Sequence, residues 1–120
     1  MNQSAAKAGH EGEDLACQFL IDKGLEILER NYHFHKRGEI DIVAREKETL
    51  VFVEVKFRKS MNYGSPEEAI TKNKMSQVRK LAQAYLFDKG IYGAGCRFDV
   101  VAIQQKEGIE PEIRYYPNAF

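Results

Sequence analysis

Two acidic residues and a lysine interrupt two otherwise apolar segments in the middle of the chain. Asp41 lies in the first segment, and Glu54 and Lys56 lie in the second. In a strand, residues i and i+2 share one face and are roughly 6.6–7 Å apart. Glu54 and Lys56 would therefore project together, with Val53 and Val55 on the opposite face. Two carboxylates beside a lysine are typical of a metal-dependent hydrolytic site.

The chemistry that this set could support is phosphodiester hydrolysis. Mg²⁺ or Mn²⁺ orients water and neutralises charge when hard oxygen ligands converge on it. Asp41 and Glu54, on adjacent strands, would supply such ligands, and Lys56 could position the water and stabilise the charged phosphate oxygens. The opposing interpretation is a solvated strand face with a mild cross-strand ion pair. No glycine-rich phosphate loop, Ser–His–Asp arrangement or cysteine pair indicates another chemistry.

Hydrophobic periodicity and turn residues predict the elements that position these side chains. The charged residues 45–49 would connect the two central strands. The expected elements in chain order are a helix over 8–23, a short strand through 32, strands over 40–44 and 50–57, a helix over 65–89 capped by Ser65, a strand over 97–104 and an edge strand over 111–116. We expect one α/β domain over residues 1–120, with a small mixed sheet flanked by helices and disorder over residues 1–7.

The composition and net charge do not indicate a particular binding partner. The chain has 120 residues, and its 18 basic and 18 acidic side chains cancel. Residues 56–80 nevertheless carry seven basic residues against two acidic ones, which fits either a nucleic-acid footprint or a solvated helix face. Cys17 and Cys96 lie in apolar contexts and would be buried free thiols. With no signal peptide or membrane span in the sequence, we expect a cytoplasmic location.

Several polar residues sit where apolar ones would be the default. Glu13 falls in the apolar arc of the first helix. A carboxylate there is expected to be paired, protonated or bound to a cation. The alternative is that Glu13, close to the helix start, caps the helix or complements its dipole. Lys74 falls in the buried stripe of the second helix, where its stem either snorkels or sends the amine toward a phosphate. His33 and His35 have the spacing for one strand face, and we favour a phosphate contact over half of a zinc site.

The central motif resembles the signature of the restriction-endonuclease-like, or PD-(D/E)XK, nuclease superfamily. The wider pattern is similar to the YraN-like family of small bacterial proteins, which is related to archaeal Holliday-junction resolvases. The matching pieces run through nearly the whole chain: residues 12–13, 30–31, 38–41, 52–56 with Arg58, 64–66, Lys74, Ala82 with 85–86, 97–101 and 118–120.

The resemblance implies an α-β-β-β-α-β core and a role for each site residue. Asp41, Glu54 and the backbone carbonyl of Val55 would be metal ligands, and Lys56 would be the catalytic lysine. Glu13 matches a helix-one acid that serves some members as a further metal or water ligand and catalytic residue.

One departure from the superfamily pattern is that Ile40, rather than proline, precedes Asp41. The neighbouring acid Glu39 would share the face of Asp41 only if the strand is regular through Ile40.

These features lead to competing hypotheses of function. The first is a Mg²⁺- or Mn²⁺-dependent DNA endonuclease acting on branched or structured DNA, in which Arg58 and Lys74 contact the nucleic acid. Related resolvases act as dimers, so a homodimer would follow. The second is a non-catalytic nucleic-acid-binding protein that retains the nuclease fold. A protein–protein adaptor is a third class, without a positive feature in the sequence.

Overall fold

The computed structural model describes residues 3–59 and 64–120, and these contain two α-helices, one 3₁₀ turn and five strands. In chain order they are α1 (Gln3–Asp22), β1 (Glu26–His33), β2 (Glu39–Glu46), β3 (Thr49–Arg58), the 3₁₀ turn (Pro66–Ala69), α2 (Lys72–Asp88), β4 (Cys96–Gln104) and β5 (Glu112–Tyr116). Helix α1 begins five residues before the predicted start, because its alanine-rich opening favours helix. The backbone over residues 3–7 is therefore helical rather than disordered, whereas residues 1–2 lie outside the described part.

The five strands form one mixed sheet in sequence order, β1-β2-β3-β4-β5. Strands β1, β2 and β3 pair antiparallel, β3 and β4 pair parallel, and β5 returns antiparallel to β4. The parallel pair requires a crossover, which the 3₁₀ turn and α2 supply. The predicted α/β fold with a small mixed sheet flanked by helices is confirmed, including the final edge strand.

Each face of the sheet is covered by one helix, because the strands alternate two sets of apolar side chains. One core cluster joins α1, through Leu20 and its neighbours, to the sheet residues Val51 and Val53. The other joins α2 to Leu50 and Phe52, which alternate with Val51 and Val53 along the same strand. Strand β3 is thus apolar on both faces, which is typical of a strand buried between two layers.

The pairing of β2 with β3 ends near the middle of the sheet. The last paired residues are Ile42 and Val53, and Asp41 and Ile40 have no partner on β3. Ile40 packs in the cluster under α2 and Ile42 in the cluster under α1, although strict alternation would place them on one face. The strand is therefore irregular at Asp41, at the point where β2 diverges from β3.

The predicted helix over residues 65–89 is interrupted. Residues 66–69 form the 3₁₀ turn, Ile70 has an extended backbone, and α2 starts afresh at Lys72. Ser65 makes no side-chain cap, whereas the Thr71 hydroxyl accepts a hydrogen bond from the Lys74 amide at 3.1 Å. Thr71 is therefore the N-cap that the sequence interpretation had assigned to Ser65, and Ile70 lies before the helix.

One burial prediction is wrong. Cys17 is buried, but Cys96, at the first position of β4, is exposed. Ile21, next to the last residue of α1, is half exposed. No helix in the described ranges is long and apolar enough to cross a membrane.

The C-terminus is held against the sheet by a buried carboxylate. Asp99 on β4 is fully buried and accepts hydrogen bonds from the Asn118 backbone amide at 2.8 Å, the Arg97 Nε at 3.2 Å and the Tyr115 hydroxyl. These donors satisfy both carboxylate oxygens, so Asp99 is a structural anchor.

Candidate metal-dependent active site

A cleft opens where β2 leaves β3. Its volume is about 290 Å³, and its lining residues are Gly12, Glu13, Asp41, Val55, Lys56, Phe57 and Arg58. Helix α1 forms one wall and the second half of β3 forms the other. Divergence of two neighbouring strands exposes backbone groups that a continuous ladder would have paired, so polar ligands can reach them.

No backbone group of β2 pairs with Val55 on β3, and the Asp41 side chain takes the place of that partner. Its Oδ2 atom accepts a hydrogen bond from the Val55 amide at 2.8 Å. Burial, together with repulsion from the Glu54 carboxylate, raises the pKa of Asp41 to about 7, while the Val55 hydrogen bond acts in the opposite direction. Two carboxylates held this close in a desolvated position need added positive charge to be ionised together.

Glu54 is the most buried acid of the cleft region, with 2% of its side chain exposed. Its Oε1 atom lies 3.2 Å from the Lys56 amine and 3.6 Å from the Lys74 amine. Its Oε2 atom is buried without a hydrogen-bond partner among the described residues. A buried carboxylate oxygen left unpaired is costly, and such atoms often mark a binding site for an ion or water.

The lysines approach Glu54 from two elements. Lys56 follows on the same face of β3, as predicted from the i, i+2 spacing, and Val55 packs toward α1 on the other face. Lys74 reaches in from α2, so its amine does come to the site edge instead of extending fully into solvent. Its contact with a phosphate stays a prediction.

Glu13 enters the cleft from the interior of α1. Because that helix begins at Gln3, the interpretation of Glu13 as a residue complementing the helix dipole near its start is wrong. Its Oε1 atom accepts hydrogen bonds from the Asn31 side-chain amide at 2.9 Å and from Arg30 at 3.4 Å. Its side chain is 14% exposed, so the carboxylate is paired yet still lines the cleft.

The close approach of α1 depends on Gly12. A Cβ atom built there would lie 2.8 Å from the Phe57 Cβ atom and 3.0 Å from Cγ. These separations are well below an ordinary carbon–carbon contact of roughly 3.5–4.0 Å. Glycine therefore lets the helix lie directly on β3, with the next residue, Glu13, beside Asp41.

Arg58 lines the same cleft. Its Nε atom is buried without a hydrogen-bond partner among the described residues, and its backbone carbonyl accepts from the Gln105 amide at 2.9 Å. The backbone of Arg58 is thus anchored to β4 while part of its guanidinium group has unused donor capacity. A contact between Arg58 and nucleic acid stays a prediction.

Other polar candidates are not brought into the cleft. His33 contacts Glu39, with 3.1 Å between Nε2 and Oε2, so Glu39 is engaged by the β1–β2 hairpin rather than placed beside Asp41. His35 adopts a left-handed backbone with φ of 53°, so the two histidines do not continue one regular strand. Half of a zinc site is therefore not formed by this pair.

The donor set fits a small, hard cation that keeps much of its water. Within residues 3–59 and 64–120, no three His, Cys, Asp or Glu side chains converge as a ready-made metal cluster. Asp41 and Glu54 nevertheless offer two carboxylates, one with an unpartnered oxygen. The Val55 carbonyl points to the same side of β3 as its amide, toward Asp41. One or two carboxylates with several waters is the usual environment of Mg²⁺, whereas Ca²⁺ takes more protein oxygens.

Three contributors to the site had no role in the sequence interpretation. Asn31 and Arg30 hold Glu13, and Asn31 reaches it from a left-handed backbone with φ of 53°, a conformation that asparagine tolerates. Gly12 permits the helix approach. Residues 12–13 and 30–31 are among the pieces that match the family pattern. Their contacts with one another form only when α1 packs on the sheet.

Comparisons with known proteins define the family. The model of the uncharacterised protein family UPF0102 matches residues 12–103, which include every residue of the cleft. A UPF0102 protein of Rhodococcus jostii is 46% identical over 112 residues, covering 93% of this chain and 94% of its own. One from Acetivibrio thermocellus is 45% identical over 108 residues, covering 89% and 83%. One from Syntrophotalea carbinolica is 40% identical over 120 residues, covering 100% and 96%.

The chain therefore belongs to the UPF0102 family, and the resemblance to YraN-like proteins is confirmed at that level.

Proposed function

We propose that this chain is a metal-dependent DNA endonuclease of the restriction-endonuclease-like type. The observation that carries the proposal is the buried, unpartnered Oε2 atom of Glu54, beside a cleft that is lined by Asp41 and Lys56. A folded protein keeps such an atom at a cost of about 1–3 kcal/mol unless something binds it. A cation at the mouth of the cleft would remove that cost and the repulsion between the two acids.

The resemblance to the nuclease superfamily implies a role for each residue, and the positions of these residues are compatible with those roles. Asp41, Glu54 and the Val55 carbonyl would hold Mg²⁺ or Mn²⁺, with Glu13 contacting the ion or a water attached to it. The metal would supply charge neutralisation and orientation of water at the phosphate. Lys56, 3.2 Å from Glu54, is held where it can position the attacking water and stabilise developing negative charge.

The finer parts of the proposal concern the substrate and the assembly. The similarity to Holliday-junction resolvases supports branched or structured DNA, and a homodimer that presents two clefts to the two strands. A non-catalytic DNA-binding protein with the same fold is the alternative. The absence of a three-acid cluster in the described residues is the observation that favours it.

The test is cleavage of a DNA panel in the presence of Mn²⁺ or Mg²⁺. Linear duplex, single strand, flap and four-way junction would be incubated with wild type, Glu54→Gln and Lys56→Met. A matched control is the Glu29 and Lys89 pair, with 3.7 Å between Oε2 and Nζ, which lies outside the cleft. Glu29→Gln and Lys89→Met remove the same groups from a more exposed ion pair.

We expect wild type and the control variants to cleave at least one substrate, and Glu54→Gln and Lys56→Met to be slower by at least about 10²–10³-fold. Mn²⁺ titration by calorimetry gives an independent readout, in which Glu54→Gln weakens binding and Lys56→Met retains it. Metal-independent cleavage, or equal rates for all variants, would refute the site. DNA binding without cleavage by wild type would support the non-catalytic alternative.

A further inference from the structure

A basic surface lies where the β1–β2 hairpin loop docks on α2. Its pocket has a volume of about 100 Å³ and is lined by Phe34, Arg37, Gln77, Lys80, Leu81 and Ala84. We name this surface the hairpin–helix pocket. The Gln77 side-chain amide donates a hydrogen bond to the Arg37 carbonyl at 2.9 Å, which fixes the loop to the helix.

The conformation of the loop brings its backbone close to α2. Gly38 has φ of +126°, and a Cβ atom there would lie 2.6 Å from the Gln77 Nε2 atom. The loop is also closed by a hydrogen bond from the Arg37 amide to the Phe34 carbonyl at 3.1 Å. The backbone that carries Arg37 is therefore held in one position relative to α2. As a result, Arg37 and Lys80 line the same pocket.

Arg37 and Lys80 are among the cations of the described residues that have no carboxylate partner, whereas other cations are paired. Arg30, Arg45, Arg97 and Arg114 each form an ion pair with a neighbouring acid. Within the described residues, no carboxylate lies within 4.0 Å of the Arg37 guanidinium or the Lys80 amine. Helix α2 itself carries four basic residues and no acid before its last residue. A neutral protein thus has a local, uncompensated positive surface.

Helix α2 links the hairpin–helix pocket to Glu54, which lies beside the candidate active-site cleft. Lys74, which contacts Glu54, is three residues before Gln77, and Gln77 is three residues before Lys80. Residues spaced by three are neighbours on a helix surface. The rise from Lys74 to Lys80 is roughly 9 Å at 1.5 Å per residue. Successive phosphates of one B-DNA strand advance about 3.4 Å along the axis, so this span covers roughly two to three nucleotides.

We propose that the hairpin–helix pocket binds backbone phosphates of the DNA strand whose scissile phosphate occupies the cleft, about two to three nucleotides from the cut. Arg37 and Lys80 make the phosphate contacts, and Lys74 links the pocket to the cleft. This inference rests on the proposed function for the position of the cut. The binding of DNA at the pocket is a separate claim with its own readout.

The experiment measures binding without turnover. Fluorescently labelled duplex and four-way junction are titrated by anisotropy in Ca²⁺, from about 50 to 200 mM salt, with wild type and with Arg37→Gln/Lys80→Gln. The matched control is Lys23→Gln/Lys47→Asn. It removes two exposed cations at the opposite end of the sheet, and asparagine suits the left-handed backbone of Lys47. A charge-retaining variant, Arg37→Lys/Lys80→Arg, tests for rescue.

We expect Arg37→Gln/Lys80→Gln to bind at least about tenfold more weakly at the higher salt, with a log–log salt slope shallower by about 2. The control and the charge-retaining variant should bind like wild type. Equal weakening of the control would overturn the proposal, because any surface cation would then serve. Unchanged binding of the pocket variant, or no DNA binding by wild type, would also overturn it.

The two proposals fail in distinguishable ways. Pocket-dependent binding by a wild-type protein that cuts none of the DNA panel would refute the endonuclease and retain the pocket. Cleavage by wild type with full binding by Arg37→Gln/Lys80→Gln would retain the endonuclease and refute the pocket. Thermal unfolding of each variant monitors folding, and the rescue variant keeps the result interpretable if the glutamine variant is destabilised.

Discussion

The substitution Gly12→Ala tests whether the packing of α1 positions the candidate active site of the proposed endonuclease. A single Cβ atom added at this position would meet the Phe57 Cβ atom at 2.8 Å. The backbone fixes the Phe57 Cβ atom, so no change of side-chain rotamer can relieve the contact. To restore an ordinary carbon–carbon separation of roughly 3.5–4.0 Å, the helix has to move by about 1 Å.

Two effects on stability oppose each other in this variant. Alanine in place of glycine inside a helix favours folding by about 1 kcal/mol. Overpacking of a close contact typically costs about 1–3 kcal/mol. Because the contact at Gly12 involves a fixed atom, we expect the cost to exceed the gain, leaving the variant roughly 0–2 kcal/mol less stable. Urea unfolding would measure this difference, with Gly95→Ala as the control, since a Cβ atom there meets only the Thr49 hydroxyl at 3.8 Å.

The effect on cleavage should be larger than the effect on folding. The neighbouring Glu13 moves with the helix, and a shift of about 1 Å at a catalytic group can reduce the rate by about 10²-fold. We therefore expect Gly12→Ala to remain folded and to cleave DNA as poorly as Glu13→Gln. A variant that is about 1 kcal/mol more stable than wild type and cleaves normally would show that the helix does not depend on glycine at this contact.

Two further predictions concern the elements around the site. Thr71→Ala removes the hydroxyl that accepts from the Lys74 amide and should lower the free energy of unfolding by about 1 kcal/mol, whereas Ser65→Ala, at a position without a side-chain cap, should change it little in the same urea titration. A hydrogen-bonded ion pair with Arg114 lowers the pKa of Glu67 from 4.5 to about 2, so its stabilisation is fully present above pH 4.5 and is lost as the pH falls through about 2. The difference in unfolding free energy between wild type and Glu67→Gln should therefore be about 1–2 kcal/mol at pH 6 and disappear near pH 2, and a difference that persists at pH 2 would contradict the assignment.

The order of elements and the central polar set follow from the sequence because they depend on local patterns. Alternation, turn residues and helical periodicity predicted the strands, the flanking helices and the projection of Glu54 and Lys56 from one face. The sequence interpretation failed where a local signal had a close competitor. Ser65 with Pro66 is a good helix start, yet Thr71 caps α2, because residues 66–69 form a 3₁₀ turn that packs on β3 and β4.

The tertiary structure alone decided which polar residues meet. The divergence of β2 from β3 at Asp41, the unpaired oxygen of Glu54 and the approach of Lys74 depend on contacts between residues at least 13 positions apart. No local periodicity encodes such contacts, since they arise from the way in which the helices cover the two faces of the sheet.

The hairpin–helix pocket shows the same division between sequence and structure. The sequence by itself determined that basic residues are concentrated over 56–80 and that Lys36 and Arg37 precede β2. Only the folded chain brings Arg37 beside Lys80 and leaves both without a carboxylate partner in the described residues, because Gly38 allows the loop to contact Gln77. Charge is a property of the residue, whereas its compensation depends on which neighbours the fold supplies.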